Sequence, residues 1–380
     1  MPVVSFTADT LRAAGRPTFY FIGVTTGSSS IQRVFPAWAA ELGLDAQLRG
    51  IDLPLHASVE AYRRVVEFIR DDPQSLGALV TTHKIDLYRA AHDLFDECDY
   101  FSTLMGETSC ISKQPGTVRL GEVQALPPGF NRFGAVSKPP ALSAQSHLAR
   151  SPNATIEKNE ARGTVPTPTN QRTQRLICHA KDPISSGLAL DAFIPAGYWT
   201  QHPAAQVVSM GAGGSTIAIS WHLSQPARGA DRPARIIVTN RSQPRLDHAR
   251  EVHRQMATDT PFEYVLAPTP ADNDQVVGAL PAGSLVINAT GLGKDAAGSP
   301  LTDAAIFPEN GLVWELNYRG DLIFLNQARA QAGKRNLRVE DGWIYFIHGW
   351  TQVIAEVFHR QIPTSGPAFD RLCEIARTTR

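Results

Sequence analysis

Gly211, Gly213 and Gly214, set close behind an apolar run, are the residues of this chain whose spacing most directly implies chemistry. They sit in AQVVSMGAGGSTIAISWHLS, where Val207 and Val208 lead in as a buried strand would and a helix-compatible stretch follows. Strand, tight turn and helix in that order form a dinucleotide site. The first glycine permits the turn, the second lets the backbone approach a diphosphate, and a small third residue lets the helix pack on the strand. Here that last position is Thr216. The helix start then offers free N–H groups and a partial positive charge to phosphate. The plain alternative is a glycine turn that holds no ligand.

The next strand speaks to which nucleotide. NAD sites usually end it with an acid that holds the ribose 2′-hydroxyl. Residues 236–238 instead run into Thr239, Asn240, Arg241 and Ser242, with Arg245 close behind and no acid nearby. Ser242 is placed to cap the following helix, which puts Arg245 in its first turn. A cation there is unfavourable unless an anion neutralises it. Two arginines at this place suit a 2′-phosphate, so NADP is favoured over NAD; the competing reading is solvated surface arginines.

The elements that must position these residues follow from periodicity. Residues 18–24 (TFYFIGV) read as a buried strand and residues 31–43 as an amphipathic helix ending at Gly43. AQLRGIDL is a second strand, with a helix near 59–69; GALVTT is a third, with a helix beginning near Lys84. GETSCIS, at 106–112, reads as a further short strand. The alternation implies a mainly parallel sheet with helices on both faces. From 113 to 174 neither period persists and prolines are frequent (residues 127–128, 139–140, 152, 166 and 168), so this stretch reads as a disordered or irregular insertion. Regular structure resumes at RLICHAKDPISSGLALDAFI, with a helix from about Pro183. Strands at EYVLA, SLVINAT and GLVWELN, a helix at 322–332, a strand at LRVED and a final amphipathic helix at 344–359 complete the pattern.

Composition narrows the classes. A chain of 380 residues can bury a large core and divides into two domains. With 36 basic and 36 acidic residues it has no formal charge, so neither nucleic acid nor a membrane surface is an expected partner. No apolar run is long enough to span a bilayer. The first residues, MPVVSFTADTLR, lack the layout of a secretory signal. Cys98, Cys110, Cys178 and Cys373 have neither metal-ligand spacing nor paired histidines, so free thiols, no metal and a reducing, cytoplasmic setting are expected.

Several short blocks, in this order, resemble the shikimate/quinate dehydrogenase family. ALVTTHK (78–84) is similar to its NVTxPHK block, GETSC (106–110) to GAVNT, and LICHAKDPI (176–184) to LxGxNTDGx. GAGGST and NRS resemble its NADP loop and basic turn, INATGLG (287–293) its INAT block, and EDGWIYFIHGWTQVIAEVF its C-terminal helix. The resemblance implies an α/β fold with an N-terminal substrate-binding domain (1–112 and 175–197) and a Rossmann-like NADP-binding domain (198–336). The C-terminal segment (337–380) would return its helix to the first domain. It implies hydride transfer between NADPH and a ring ketone on a carboxylated cyclohexane, such as 3-dehydroshikimate, by a monomer or homodimer.

The resemblance carries an acid/base pair onto Lys84 and Asp182. Carbonyl reduction needs a proton donor at oxygen as hydride reaches carbon. A lysine serves when burial tunes it and a carboxylate fixes it, two effects that oppose each other. Without the family blocks, the pair reads as a surface lysine and a helix-capping aspartate. The family's carboxylate-binding hydroxyls fall on Thr26, Ser28, Ser29 and Ser30, with the register open by a residue or two. Ser109 and Gln352 complete the implied substrate contacts, Gly349 standing where the family's own glutamine would be. Thr290 and Tyr318 would lie near the cofactor ring, beside the cofactor-binding Gly211, Gly213, Gly214, Asn240, Arg241, Ser242 and Arg245.

The chain also departs from the family's blocks. Their asparagines fall on Ala78, Ser109 and Ala180, a threonine is Lys181, and the proline before the His-Lys pair is Thr82. Fewer amide contacts weaken recognition of the usual hydroxyl pattern. Two alternatives therefore stay open: the same chemistry on quinate or an amino-substituted analogue, and a non-catalytic metabolite-sensing homologue.

Overall fold

The run TFYFIG forms strand β1 (Thr18–Gly23) with all six residues buried, as a strand covered on both faces must be. The structure is a computed structural model that describes residues 5–119, 171–294 and 296–379. After β1 come α1 (Ile31–Leu42), β2 (Gln47–Asp52), α2 (Val59–Asp71), β3 (Ser75–Val80) and α3 (Lys84–Ala91). Gly43 ends α1 in the left-handed conformation, φ 63°, and the Ser58 side chain caps α2 by accepting from the Ala61 N–H. The short β4 (Glu97–Cys98) and α4 (Tyr100–Met105) lead to a long hairpin, β5 (Cys110–Arg119) and β6 (Gln171–His179).

These strands make a six-stranded sheet in the order β2-β1-β3-β5-β6-β4. It is mainly parallel, as expected, with a single reversed strand: β5 runs antiparallel to both β3 and β6. The irregular stretch expected from residue 113 also begins later. β5 continues to Arg119, paired with Gln171 of β6, and the ladder shifts register between Pro115 and Val118. The rest of that stretch, 120–170, lies outside the described residues.

The second half adds α5 (Asp182–Phe193), α6 (Tyr198–Gln201), β7 (Val207–Met210), α7 (Gly214–Leu223), β8 (Ile236–Asn240), α8 (Gln243–Arg254), β9 (Phe262–Leu266) and α9 (Pro270–Gly278). Then follow β10 (Leu285–Asn288), β11 (Leu312–Glu315), α10 (Ile323–Arg335) and β12 (Arg338–Glu340). The six strands pair in parallel in the order β12-β11-β10-β7-β8-β9. Read from β9, this is the doubly wound nucleotide-binding order, and its direction reverses between β7 and β10, where such sheets hold ligands. The sheet runs on to Glu340, past the expected domain boundary at 336.

Two helices close the chain, α11 (Trp343–Val357) and α12 (Pro367–Thr379), the latter beyond the helix expected to be final. Helix α11 returns to the first sheet: Ile347, Trp350 and Ile354 share a core with Phe19, Phe21 and Trp38. The Trp350 and Phe21 rings meet edge-on at 5.0 Å, and the Trp38 indole donates to the Leu372 carbonyl of α12 at 2.9 Å. Helix α5 packs the other way. Ala189, Leu190 and Phe193 join Val207 and Ile217 in the core of the second sheet, so β6 and α5 belong to different lobes. No helix among the described residues is long and apolar enough to cross a membrane.

Candidate active site

Between the two sheets, at the carboxyl ends of β7 and β10, lies a cleft of about 840 Å³. Lys84 and Asp182 both line it and meet there. Lys84 is the first residue of α3 and Asp182 the first of α5, so two helix starts aim the pair inward. The Lys84 ammonium donates to Asp182 Oδ2, and the side chains are 22% and 9% exposed. Burial pulls the ammonium's pKa down, but the charges of Asp182 and Glu107 outweigh it and hold the pKa above the usual 10.5. The path into α3 is bent by Thr82, at φ 59°. That backbone conformation is out of a proline's reach and strained for a β-branched residue.

Two further side chains complete this group, and sequence reasoning did not find either. The Tyr345 hydroxyl of α11 donates to Asp182 Oδ2 at 3.3 Å and lies 3.4 Å from Ser215 Oγ. Burial and the Asp182 charge hold its pKa well above 10. Glu107, only 1% exposed, lines the same cleft. Burial first, then the Asp182 charge, raise its carboxyl to about 8.

Lys181, Thr26 and Ser109 also line the cleft. Lys181 donates to Glu356 Oε2 of α11 at 2.6 Å, and that carboxylate lies 3.4 Å from the His179 ring, which faces Asp99 at 3.3 Å. Ser109 Oγ accepts the Lys181 N–H at 2.6 Å. The Thr26 hydroxyl is turned away from the cleft: it donates to Asp52 Oδ1 at 2.5 Å, and the Thr26 N–H donates to the same oxygen at 2.8 Å.

Three residues expected to touch substrate do not line the cleft. Ser28 Oγ donates to its own turn, at Thr25 O, 2.9 Å. Ser30 is the residue before α1; Ser29 is the serine of this turn that reaches the cleft. Gln352 is not among the α11 residues that line the cleft, which are Tyr345, Phe346, Gly349, Trp350 and Val353. Gly349 leaves open space there, with no atom within 4 Å of an added Cβ.

On the nucleotide side, Gly213, Gly214, Thr290, Tyr318 and Arg245 line the cleft. Gly211 does not, and its role is structural: at φ 110°, an added Cβ would lie 2.6 Å from the Ala289 carbonyl. Thr216, in place of a third glycine, uses its hydroxyl to bond Gly211 O at 2.6 Å and Ser209 Oγ at 2.8 Å. Gly213 precedes α7 with no side-chain cap, leaving the helix N–H groups to a ligand. Asn240, Arg241 and Ser242 stand just outside. Asn240 Oδ1 accepts the Ser242 N–H at 2.9 Å, and Ser242 occupies the cap position of α8 without a side-chain hydrogen bond. Of the two arginines, Arg245 reaches the cleft.

The floor carries a buried polar cluster. Asn288 Oδ1 accepts the Thr290 hydroxyl at 2.7 Å and its amide donates to Glu315 at 2.7 Å, a carboxyl that burial raises to about 7. Tyr318 packs on Phe346 at 4.4 Å between centroids. Lys294 and Arg319 bring further cations to the rim.

No family model and no curated protein matches the sequence. Solved structures do match. A shikimate dehydrogenase in complex with NADP+ shares 16% identity over 97% of each chain, with a TM-score of 0.59. The quinate dehydrogenase from Corynebacterium glutamicum in complex with NAD shares 15% over 96% of this chain and 99% of its own, at 0.58. The chain has the fold of the shikimate and quinate dehydrogenases. Shikimate 5-dehydrogenase from Thermus thermophilus, in complex with NADP(H) and shikimate, aligns over 96% of this chain and 99% of its own at 18% identity and a TM-score of 0.56. In this shikimate dehydrogenase fold the cleft between the lobes, with Lys84 and Asp182 facing the glycine turn, is the candidate active site.

Proposed function

We propose that this chain is an NADP-dependent oxidoreductase that interconverts a ring ketone and its alcohol on a carboxylated cyclohexane, 3-dehydroshikimate and shikimate being the first pair to test. The observation that carries the reading is one cleft holding a paired ammonium and carboxylate, an uncapped helix start behind two glycines, and Arg245. The residues fit a dinucleotide. Gly213 has open space around it, α7 offers N–H groups to a diphosphate, and Arg245 stands at the first turn of α8 for a 2′-phosphate. When bound, the nicotinamide supplies or accepts the hydride.

The chain's own part is proton handling and placement. Lys84 Nζ holds the proton that the carbonyl oxygen needs as its carbon is reduced, and takes one back in the reverse direction. Asp182 keeps that ammonium charged and oriented, and the Tyr345 hydroxyl steadies the carboxylate from α11. Leu79, Phe346 and Trp350 give the substrate end an apolar wall. Ser29 supplies a hydroxyl there, and Lys181 a cation for a carboxylate.

A second reading keeps the chemistry and changes the ring to quinate or an amino-substituted analogue. It is favoured by the Ser109 hydroxyl, which already accepts the Lys181 N–H, and by the empty space at Gly349. A turnover screen of the purified chain with both nicotinamide cofactors, against shikimate, quinate and analogues, decides among these. Turnover lost in Lys84→Ala with nucleotide binding intact supports the enzyme reading. Tight binding of a ring acid without turnover by the wild type supports a sensing role instead.

A further inference from the structure

Glu107 sits where the two halves of the cleft meet. It follows α4 and precedes β5, on the catalytic side, yet a Cβ built on Gly214 would lie 2.1 Å from its Oε2, so the carboxyl presses against the first residue of α7. Its Oε1 is buried with no hydrogen-bond partner. Lys84, whose charge reaches it, is hydrogen-bonded to Asp182 instead. An acid with a buried oxygen left unbonded is therefore held at the helix start that a diphosphate would occupy. A carboxylate there repels the diphosphate; a neutral carboxyl does not, and it can donate its proton to a phosphate oxygen.

We infer that Glu107 takes up a proton when a dinucleotide settles on the glycine turn, so that cofactor affinity is set by the protonation of this one side chain. The inference rests on the proposed dinucleotide site. The charged and titratable groups facing Glu107 are Lys84 from α3, Asp182 from α5, Asp99 ahead of α4 and Tyr345 from α11; α7 presents its backbone. Lys84 and Tyr345 are held above 10.5 and 10.0, and Asp99 is held below 3.8, so their charges are constant at mildly alkaline pH. Glu107 is held at about 8. It is thus neutral below that pH, and affinity falls by about tenfold for each pH unit above it.

Calorimetric titration of the full chain with NADPH, about one pH unit above the carboxyl's pKa, tests this when run in two buffers of different ionisation enthalpy. Wild type is expected to take up close to one proton per NADPH and to bind about fivefold more weakly than at pH about 8, where half the carboxyl is already ionised. Glu107→Gln and the smaller Glu107→Ala are each expected to take up none and to bind with little pH dependence. Wild type that binds without proton uptake, or either variant taking up as many protons as wild type, overturns the inference while leaving the cofactor site standing. Absence of NADPH binding by all three chains at neutral pH overturns the dinucleotide reading itself.

Discussion

Asp182→Asn keeps the shape of the side chain and removes its charge. In the wild type Lys84 stays an ammonium to above 10.5, because Asp182 and Glu107 together outweigh the burial that would strip its proton. Ketone reduction draws that proton, so its rate should stay flat with rising pH until the raised pKa is passed. Two unit charges about 4 Å apart, at an effective dielectric of about 20, attract by about 4 kcal/mol. Deleting one partner of a buried pair costs about 3–5 kcal/mol. Glu107 recovers part of this, because loss of the Asp182 charge removes one of the effects raising its own pKa and lets it ionise beside Lys84. The expected outcome is a kcat lower by about 10²–10⁴, the range general acid catalysis contributes. The alkaline limb of the profile should also move toward neutral pH. The assay is NADPH oxidation with 3-dehydroshikimate, kcat and KM being read at each pH. A kcat that falls while the limb stays at its wild-type position would refute the electrostatic role, and so would a limb displaced to higher pH.

Arg245→Ala should raise the KM for NADPH by about 10–100-fold, the scale of a lost charged hydrogen bond of about 1.5–3 kcal/mol, and leave that for NADH nearly unchanged. Arg241→Ala, outside the cleft lining, should do much less; equal effects would remove the 2′-phosphate assignment. Gly349→Gln introduces a side chain where an added Cβ meets nothing within 4 Å. It should leave the melting temperature within a few degrees of wild type and lower the KM for shikimate; a rise in KM would mean that the space serves a larger substrate. Replacing residues 120–170 with a short turn should keep the fold, because Arg119 and Gln171 are already paired. Closing a loop of about 4 rather than about 50 residues favours folding by about 2 kcal/mol, so a lower melting temperature would count against it.

The second sheet was readable from sequence because its strands are short apolar runs between glycine and cap signals, and parallel pairing buries both faces of each. The glycine turn was readable through residue type and order, and the Lys84–Asp182 pair only through the resemblance of the blocks that carry it. What was hidden depended on distant partners. Thr26 reads as a free hydroxyl until Asp52 is seen to accept it. Gln352 reads as a near match until the lining of the cleft is known. Glu107 reads as one more polar residue of a short block, because only the approach of α7 buries it. Helix α4 did leave a local trace, Asp99 three residues ahead of Ser102, whose N–H its side chain accepts at 2.7 Å. Strands β5 and β6 past residue 113 left none, since Pro115 and Gly116 interrupt the alternation that marks a strand.

The closeness of Glu107 to Gly214 couples these two positions. Alanine at 214 would put a methyl group 2.1 Å from a carboxyl oxygen at the end of a flexible arm, so the acid would have to swing aside to admit it. A change at the opening residue of α7 is thus felt first by a side chain from the opposite lobe, and shortening Glu107 would relieve it.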